Sequence, residues 1–245
     1  MIPKKIHYCW FGGKKLPKLA KKCLLSWKRK CPGYEIICWN EDNFDINSNK
    51  YVKQAYESKK YAFVTDYVRL WALYNEGGIY MDTDVQVLKT LDNFLELQAF
   101  SGFENNESVP TGIMGSEPRL DIFKELLDYY KDKSFIDENG QMDTTTNVTT
   151  ITNILFAKGL KKNNTLQTIE KFTLFPKDYF CPIDYVTRKK TITKNTYTIH
   201  WFAGSWVSKK DSLKVIIYIF LNRCFGEKVT KKITKIVKGR KHGKQ

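Results

Sequence analysis

Apolar residues near the start of the chain follow two different spacings. Between Leu16 and Cys31 they recur every three or four positions, which is the period of a helix with one buried face. The flanking runs Ile6–Trp10 and Tyr34–Trp39 are short and rich in apolar and aromatic residues, which is typical of strands. A strand, a helix and a second strand in this order predict a βαβ unit and therefore a parallel sheet.

The same spacings predict further elements along the rest of the chain. Helices are expected at 51–59, 62–76, 118–131, 144–157 and 213–224, and strands at 79–81, 99–103, 112–114, 173–175 and 197–202. There is no internal repeat and no interdomain linker. We therefore predict one α/β domain over residues 1–207, with a mainly parallel central sheet flanked by helices, and a basic helical appendage over residues 208–245.

Composition narrows the class of protein. A chain of 245 residues can bury a substantial core. No pair of its six cysteines has C-x-x-C spacing, so we expect reduced thiols in a cytosolic protein. No leader is visible, and the longest apolar run, Val215–Leu221, is too short to span a membrane. Residues 208–245 contain 12 Lys/Arg against two acids, which is +10 of the chain's net +15.

The segment GGIYMDTDV places Asp82 and Asp84 at the end of a predicted buried strand. Ligands of open α/β sheets bind at this carboxyl edge. Two neighbouring carboxylates repel each other unless a cation lies between them, and their hard oxygens suit Mg²⁺ or Mn²⁺. The alternative is an ordinary surface turn with two solvated acids.

The helix preceding this strand is apolar on nearly every face, which predicts that it is buried. Its conspicuous charges, Asp66 and Arg69, lie one turn apart. They either satisfy each other as a local ion pair or point into a cavity, where Asp66 accepts from hydroxyls and Arg69 faces a phosphate or sugar.

Candidate binding residues, several of them aromatic, lie near both ends of the predicted domain. Trp10 precedes Gly12 and Gly13 and could stack on a flat ring, although a core tryptophan before a turn is the commoner arrangement. In the segment TIHWFAGSW, His200 could complete a metal site with the two aspartates and would favour Mn²⁺ over Mg²⁺. Trp206 could donate its indole N–H to a phosphate oxygen. The alternative for His200 is a buried histidine bonded to the backbone.

These segments, in this order, resemble the DXD-containing glycosyltransferases of family 32, which include sugar transferases of bacterial capsular polysaccharide synthesis. The similarity runs from IPKKIHYCWFGG through FVTDYVRLWALYNEGGIYMDTDV to IHWFAGSW. The resemblance implies a GT-A-type fold, a nucleotide-sugar donor, a divalent metal ion and transfer with retention at the anomeric carbon.

The resemblance also implies roles for individual residues. Trp10 and Phe11 would bind the nucleotide base, and Asp66, Arg69 and Tyr80 would line the donor-sugar site. Asp82, Asp84 and His200 would hold the metal ion. Some members carry two consecutive histidines where this chain has His200-Trp201. Ser205 and Trp206 would complete the nucleotide-sugar site, with Trp206 on the β-phosphate.

The sequence thus predicts a metal-dependent retaining glycosyltransferase that moves a hexose, with UDP-galactose or UDP-glucose favoured, to a glycan or lipid-linked saccharide. The basic tail interleaves lysines with apolar residues, which favours contact with the inner face of an anionic cell membrane over nucleic-acid binding or a solvated end. The alternatives are a non-enzymatic basic protein that binds membranes or nucleic acid, and a metal-dependent nucleotide-sugar hydrolase.

Overall fold

The structure is a computed structural model that describes residues 1–105, 107–185 and 187–204. The chain forms two compact units. The first comprises Met1–Pro182 and Thr191–Trp201, and the second comprises Ile183–Lys190 and Phe202–Gln245. Ser205, Trp206 and the predicted helix at 213–224 lie outside the described residues. The predicted boundary after residue 207 stays a prediction.

The first unit contains all the helices and strands that the structure describes. The helices are α1 (Lys18–Lys30), α2 (Lys50–Glu57), α3 (Tyr61–Glu76), α4 (Asp121–Asp128) and α5 (Asn147–Ala157). The strands are β1 (Lys5–Cys9), β2 (Glu35–Trp39), β3 (Gly78–Met81), β4 (Val85–Val87), β5 (Ala99–Gly102), β6 (Ile113–Ser116), β7 (Gln167–Ile169), β8 (Phe172–Phe175) and β9 (Thr198–His200). One 3-10 turn covers Asp92–Phe94.

Seven strands form one sheet in the order β2-β1-β3-β6-β5-β8-β7. The pairs β1–β2, β1–β3 and β5–β8 are parallel, whereas β3–β6, β5–β6 and β7–β8 are antiparallel. The strands β4 and β9 form a separate antiparallel pair. The predicted βαβ unit is present as β1, α1 and β2 in parallel register, and the predicted α/β fold class is confirmed.

Local backbone geometry explains where the predicted boundaries differ from the observed ones. The helix expected over 118–131 begins only at Asp121, because Arg119 has a positive φ of 63° and Leu120 is extended. The strands β4, β7 and β9 have three residues each. The sequence pattern did not predict β4 or β7, and it predicted a strand at 197–202 where β9 covers only Thr198–His200. Three residues are too few to establish a period-2 pattern.

The helix α3 leads directly into the edge of the sheet where the two aspartates lie. Its apolar residues are buried against the sheet, as its all-round apolar pattern predicts. The helix ends at Gly77, whose φ of 63° lies in the left-handed region that glycine adopts without steric cost. The chain then reverses into β3, so the end of α3 fixes where β3 starts and where Asp82 emerges.

The second unit is described only over 183–185, 187–190 and 202–204. Ile183 and Lys190 form an antiparallel bridge, and Asp184 accepts hydrogen bonds from the backbone and hydroxyl of Thr187. Within the described residues, no helix has both the length and the apolar character needed to cross a membrane. The five described cysteines are free thiols, and all but Cys38 are buried.

Candidate functional site

A tight turn between β3 and β4 carries the two aspartates. The backbone N–H of Asp82 donates to the carbonyl of Gly112 at 2.8 Å, and the N–H of Val85 donates to the carbonyl of Asp82 at 2.9 Å. These bonds hold residues 82–85 against the β5–β6 hairpin and start β4 immediately after Asp84. Both carboxylates are only partly exposed, so the surface turn with two solvated acids does not describe them.

The pairing of β4 with β9 brings His200 to the aspartates. Val85 lies directly opposite His200 in this antiparallel register. The Nε2 atom of His200 lies 3.3 Å from Oδ1 of Asp84 and 4.0 Å from Oδ2 of Asp82. Each of the three residues offers one possible ligand atom, and these three atoms all lie within 4.8 Å of one another.

This set of atoms fits a divalent cation. Mg²⁺ and Mn²⁺ take carboxylate oxygens at about 2.0–2.2 Å, and an imidazole nitrogen is more typical of Mn²⁺ and heavier ions. Burial lowers the pKa of His200, but its hydrogen bond to Asp84, together with Cys181, raises the pKa well above its ordinary value. The carboxylate beside the ring therefore favours positive charge at this position, and a metal ion would bind the neutral imidazole in place of the proton. The alternative of a histidine bonded only to backbone does not describe this contact with Asp84.

Gly112 makes room for the His200 ring. A Cβ atom at this position would lie 2.8 Å from both Cε1 and Nδ1 of the imidazole, which is closer than real Cβ contacts. Gly112 is also the residue whose carbonyl accepts from Asp82. One residue of the hairpin therefore contacts both the aspartate turn and the histidine.

Arg69 contacts both Asp66 on its own helix and Asp82 in the aspartate turn. Its Nη2 lies 3.3 Å from Oδ1 of Asp66 and 3.4 Å from Oδ1 of Asp82, and its Nη1 donates to the carbonyl of Thr111 at 2.7 Å. The guanidinium also lies over the ring of Tyr80, 4.7 Å from its centroid. Burial opposes its charge, but Asp82, Tyr80 and Asp66 raise the pKa of Arg69 above its ordinary value.

The carboxylate of Asp82 has two different sides. Its Oδ1 accepts from the hydroxyl of Tyr80 at 2.8 Å and also faces Arg69. Its Oδ2 faces His200. Because Oδ1 is held by two buried donors, the orientation that directs Oδ2 toward His200 is fixed by the fold.

Asp66 is held from a second element as well as by Arg69. Its Oδ2 accepts from the backbone N–H of Asn147 at 3.2 Å, and the amide of Asn147 donates to the Asp66 carbonyl at 2.6 Å. The side chain of Asn147 in turn accepts from the hydroxyl of Tyr130 at 2.7 Å. Burial raises the pKa of Asp66 to about 6, against the opposing effect of Arg69. The Asp66–Arg69 pair is thus local, and it also joins α5 to the aspartate turn.

The remaining predicted residues lie near the end of β1. Trp10 is partly exposed, and its indole N–H donates to the carbonyl of Lys14 while its backbone pairs with Trp39. Phe11 is buried in the core, with its ring edge-on to Phe44 at 6.4 Å. Phe11 therefore packs in the core, and Trp10 is the partly exposed aromatic side chain at the end of β1.

Sequence reasoning did not single out four residues that the fold brings to the site. Asn147 and Gly112 hold Asp66 and Asp82, and Cys181 is a buried thiol beside His200. Glu104, two residues after the end of β5, is a partly buried carboxylate, and burial raises its pKa against the opposing effect of His200. All four are far from the aspartates along the chain, and only the pairing of distant strands and helices reveals them.

Parts of the chain are similar to known glycosyltransferases. Residues 17–101 match the family model "Glycosyltransferase sugar-binding region containing DXD motif". Over 228 residues the chain is 27% identical to an uncharacterized glycosyltransferase, L373, of Acanthamoeba polyphaga mimivirus, covering 88% of each chain. Over 122 residues it is 30% identical to inositol phosphoceramide mannosyltransferase 3 of Schizosaccharomyces pombe, covering 46% of this chain and 33% of that one.

Among solved structures, the chain is similar to a glycosyltransferase involved in glycosylation of the major capsid of PBCV-1. The TM-score is 0.46 and the identity 12%, over 85% of this chain and 98% of that one. The family match spans Asp66, Arg69 and both aspartates of the D-x-D turn. Residues 17–101 are therefore similar to the sugar-binding region of DXD-containing glycosyltransferases, and glycosyltransferase is the enzyme class that the matches support. The family 32 and capsular assignments stay predictions.

Proposed function

We propose that this protein is a metal-dependent retaining glycosyltransferase that moves a hexose from a nucleotide-sugar donor to a glycan or lipid-linked saccharide. The observation that carries the proposal is the divided carboxylate of Asp82. One oxygen is fixed by Tyr80 and Arg69, and the other faces His200 beside Asp84. A structural ion pair has no need of the second carboxylate and the histidine on its open side.

Asp82, Asp84 and His200 would hold Mn²⁺ or Mg²⁺ in this arrangement. When bound, such an ion neutralises charge that develops on a departing diphosphate. The chain's own residues position the donor: Asp66 offers carboxylate oxygen to sugar hydroxyls, and Arg69 keeps Asp66 and Asp82 in one fixed relation. Preorganised charge and orientation of this kind are large contributions to catalysis of group transfer.

The donor and the acceptor follow from the resemblance and from the relatives. UDP-galactose and UDP-glucose are the first donors to test. GDP-mannose is next, because one relative is named an inositol phosphoceramide mannosyltransferase and two yeast relatives are named mannosyl phosphorylinositol ceramide synthases. Those names also favour an acceptor with a lipid part. Retention at the anomeric carbon is proposed from the resemblance.

We also propose that the protein works at the inner face of the cell membrane and that the basic tail, residues 208–245, contacts anionic lipid there. Its 12 Lys/Arg are interleaved with apolar residues. Cationic amphipathic segments with this pattern bind at the headgroup boundary.

A thermal-shift panel of nucleotide sugars tests the enzymatic proposal. A ligand that binds the folded state raises the melting temperature, so the correct donor is expected to stabilise the protein with Mn²⁺ and not with EDTA. Asp84→Asn should lose this shift and also lose sugar transfer in a product assay. Asp132→Asn, at an exposed acid outside the site, is the matched control and should keep both.

Two results would contradict the proposal. One is a folded wild-type protein that no nucleotide sugar stabilises in the presence of Mn²⁺. The other is transfer at the wild-type rate by Asp84→Asn. Release of free sugar without transfer to any acceptor would instead favour the hydrolase.

A further inference from the structure

The first 34 residues of the chain contain ten Lys/Arg and no acid. Residues 35–207 contain 19 Lys/Arg against 24 Asp/Glu, so the rest of the domain is acidic. The net charge of the domain therefore conceals a strongly cationic segment. That segment is separate in sequence from the basic tail, and most of it is the helix α1 with the loop before it.

The cations of α1 lie on one face of the helix. Lys18, Lys21, Lys22, Lys28 and Arg29 are spaced by three, four or seven positions, which places them on a single stripe of an α-helix. All five side chains are exposed. The opposite face, Ala20, Cys23 and Trp27, is buried. Lys14 and Lys15 extend the exposed charge into the preceding loop. We call this stripe and the two loop lysines the α1 basic face.

The charges of the α1 basic face are not neutralised within the part of the chain that the structure describes. Among the described residues, the ion pairs of the first 34 residues are those of the amino terminus, Lys4 and Lys5. Two acids that contact segments next to α1 have other partners. Glu41 accepts from Gly12 and Tyr56, and Asp92 accepts from Tyr34 and pairs with Lys4. The face is therefore available to an external anion.

A large apolar side chain lies in the middle of the α1 basic face. Leu25 falls between Lys22 and Lys28 on the same stripe and is 64% exposed. A leucine surrounded by long cationic side chains is the arrangement of helices that lie in a membrane interface, where the leucine enters the acyl boundary and the lysines reach the headgroups. A phosphate backbone of nucleic acid would use the lysines but not the leucine.

The buried side of α1 is attached to the site. The indole N–H of Trp27 donates to the carbonyl of Val85 at 2.7 Å, and the hydroxyl of Ser26 accepts from the N–H of Val87 at 2.9 Å. The carbonyl of Val85 and the N–H of Val87 both belong to β4, which begins immediately after Asp84. A surface bound to the outer side of α1 is thus separated from the aspartate turn by the thickness of one helix.

We propose that the α1 basic face docks the catalytic domain onto a bilayer surface containing anionic lipids. Lys21, Lys22, Lys28 and Arg29 contact headgroup phosphates, and Leu25 inserts between them. This contact is distinct from that of the basic tail and orients the domain, because α1 is rigidly packed on β4. It does not depend on the glycosyltransferase proposal.

Vesicle binding of the full chain tests this docking surface. One variant changes Lys21, Lys22, Lys28 and Arg29 to Gln. The matched control changes four exposed lysines on or beside α2, Lys50, Lys53, Lys59 and Lys60, to Gln, which removes the same net charge. Binding is measured to vesicles of phosphatidylcholine with phosphatidylglycerol and to phosphatidylcholine alone, and thermal melting confirms that each variant is folded.

The α1 variant is expected to bind anionic vesicles at least about tenfold more weakly, since each Lys or Arg near an anionic surface contributes appreciably to binding. The α2 control should stay within about twofold of wild type. Leu25→Ser, which keeps every charge, should also weaken binding, and its loss should persist at high salt, where headgroup attraction is screened.

Three outcomes would overturn the proposal. Equal weakening by the α1 and α2 variants would mean that net charge alone matters. No weakening by the α1 variant, with loss on changing Lys231, Lys232, Lys235 and Lys238 to Gln, would assign all membrane binding to the tail. Tight binding of single-stranded RNA that the α1 variant loses, with vesicle binding unchanged, would make the face a nucleic-acid site.

Discussion

At the scale of single residues, the site depends on how each polar atom is already occupied. Oδ1 of Asp82 has two donors in Tyr80 and Arg69, and this leaves Oδ2 as the oxygen that faces His200. The His200 ring in turn lies against Gly112, where no side chain fits. Each contact fixes the orientation of a side chain that would bind the metal ion. Ligands that are oriented in advance bind a metal ion more tightly.

We expect Gly112→Ala to weaken Mn²⁺ binding about tenfold, because the new Cβ would lie 2.8 Å from the His200 ring and must displace it. Calorimetric titration with Mn²⁺ measures the effect. Gly102→Ala is the matched control in the same hairpin, since its Cβ would lie 2.9 Å from the ring of Phe180 and not from a candidate ligand. Equal loss of Mn²⁺ affinity in both variants would contradict the role assigned to Gly112.

At the scale of elements, two long-range pairings assemble the site. The register of β4 with β9 brings His200 opposite Val85 and so beside Asp84. The start of α5 brings Asn147 to α3, where it contacts both the carbonyl and the carboxylate of Asp66. Asp66 and Arg69 therefore lie on α3, but contacts from α5 and from the β5–β6 hairpin hold their side chains in place.

We expect Asn147→Ala to lower the free energy of unfolding by about 2 kcal/mol, because it leaves the buried hydroxyl of Tyr130 and the carbonyl of Asp66 without this partner. Urea denaturation measures the change. Thr149→Ala, at an exposed position of the same helix, controls for the loss of a polar side chain. A cost for Asn147→Ala no larger than that of Thr149→Ala would show that α5 does not depend on this contact.

At the scale of the whole molecule, one buried histidine ties the first strands to the end of α3. Nε2 of His7 donates to the carbonyl of Gly77 at 2.7 Å, and Nδ1 accepts from the indole N–H of Trp39 at 3.2 Å. Both partners are satisfied only by the neutral imidazole, since protonated Nδ1 would face the Trp39 donor. Burial, with a smaller effect of Lys5, lowers the pKa of His7 to about 4, whereas Gly77 and Glu76 act in the opposite direction.

We therefore expect His7 to make the protein less stable as the pH falls. Between pH 6.5 and about 4 the unfolded chain binds a proton at this position and the folded chain does not, so the free energy of unfolding should fall by up to about 3 kcal/mol across that range. The raised pKa of Asp66 acts with the opposite sign, because its folded form binds the proton first.

Comparing wild type with His7→Gln isolates this contribution, since Asp66 titrates in both proteins. The difference in unfolding free energy between the two should shrink as the pH falls from 6.5 to 4. A difference that stays constant with pH would show that His7 does not titrate with a depressed pKa.

The sequence by itself determined what depends on neighbours along the chain. The period of α1, the apolar character of α3, the Gly77 terminus and the position of the D-x-D turn at the end of β3 were all predicted, because helices and strands impose local spacings on buried residues. The one-turn spacing of Asp66 and Arg69 allowed a local ion pair as one of two alternatives, and the structure shows that pair. Several helix boundaries shifted by a few residues, since ends depend on single backbone angles such as that of Arg119.

Only the tertiary structure decided which distant residues meet. His200 could be proposed as a ligand from the sequence, but the β4–β9 register is what sets its Nε2 beside Asp84. Gly112 and Asn147 had no sequence signal, because a close approach or a buried amide is defined by what packs against it. The α1 basic face likewise required knowing which side of the helix is buried on β4, since periodicity gives the stripe but packing decides which stripe faces outward.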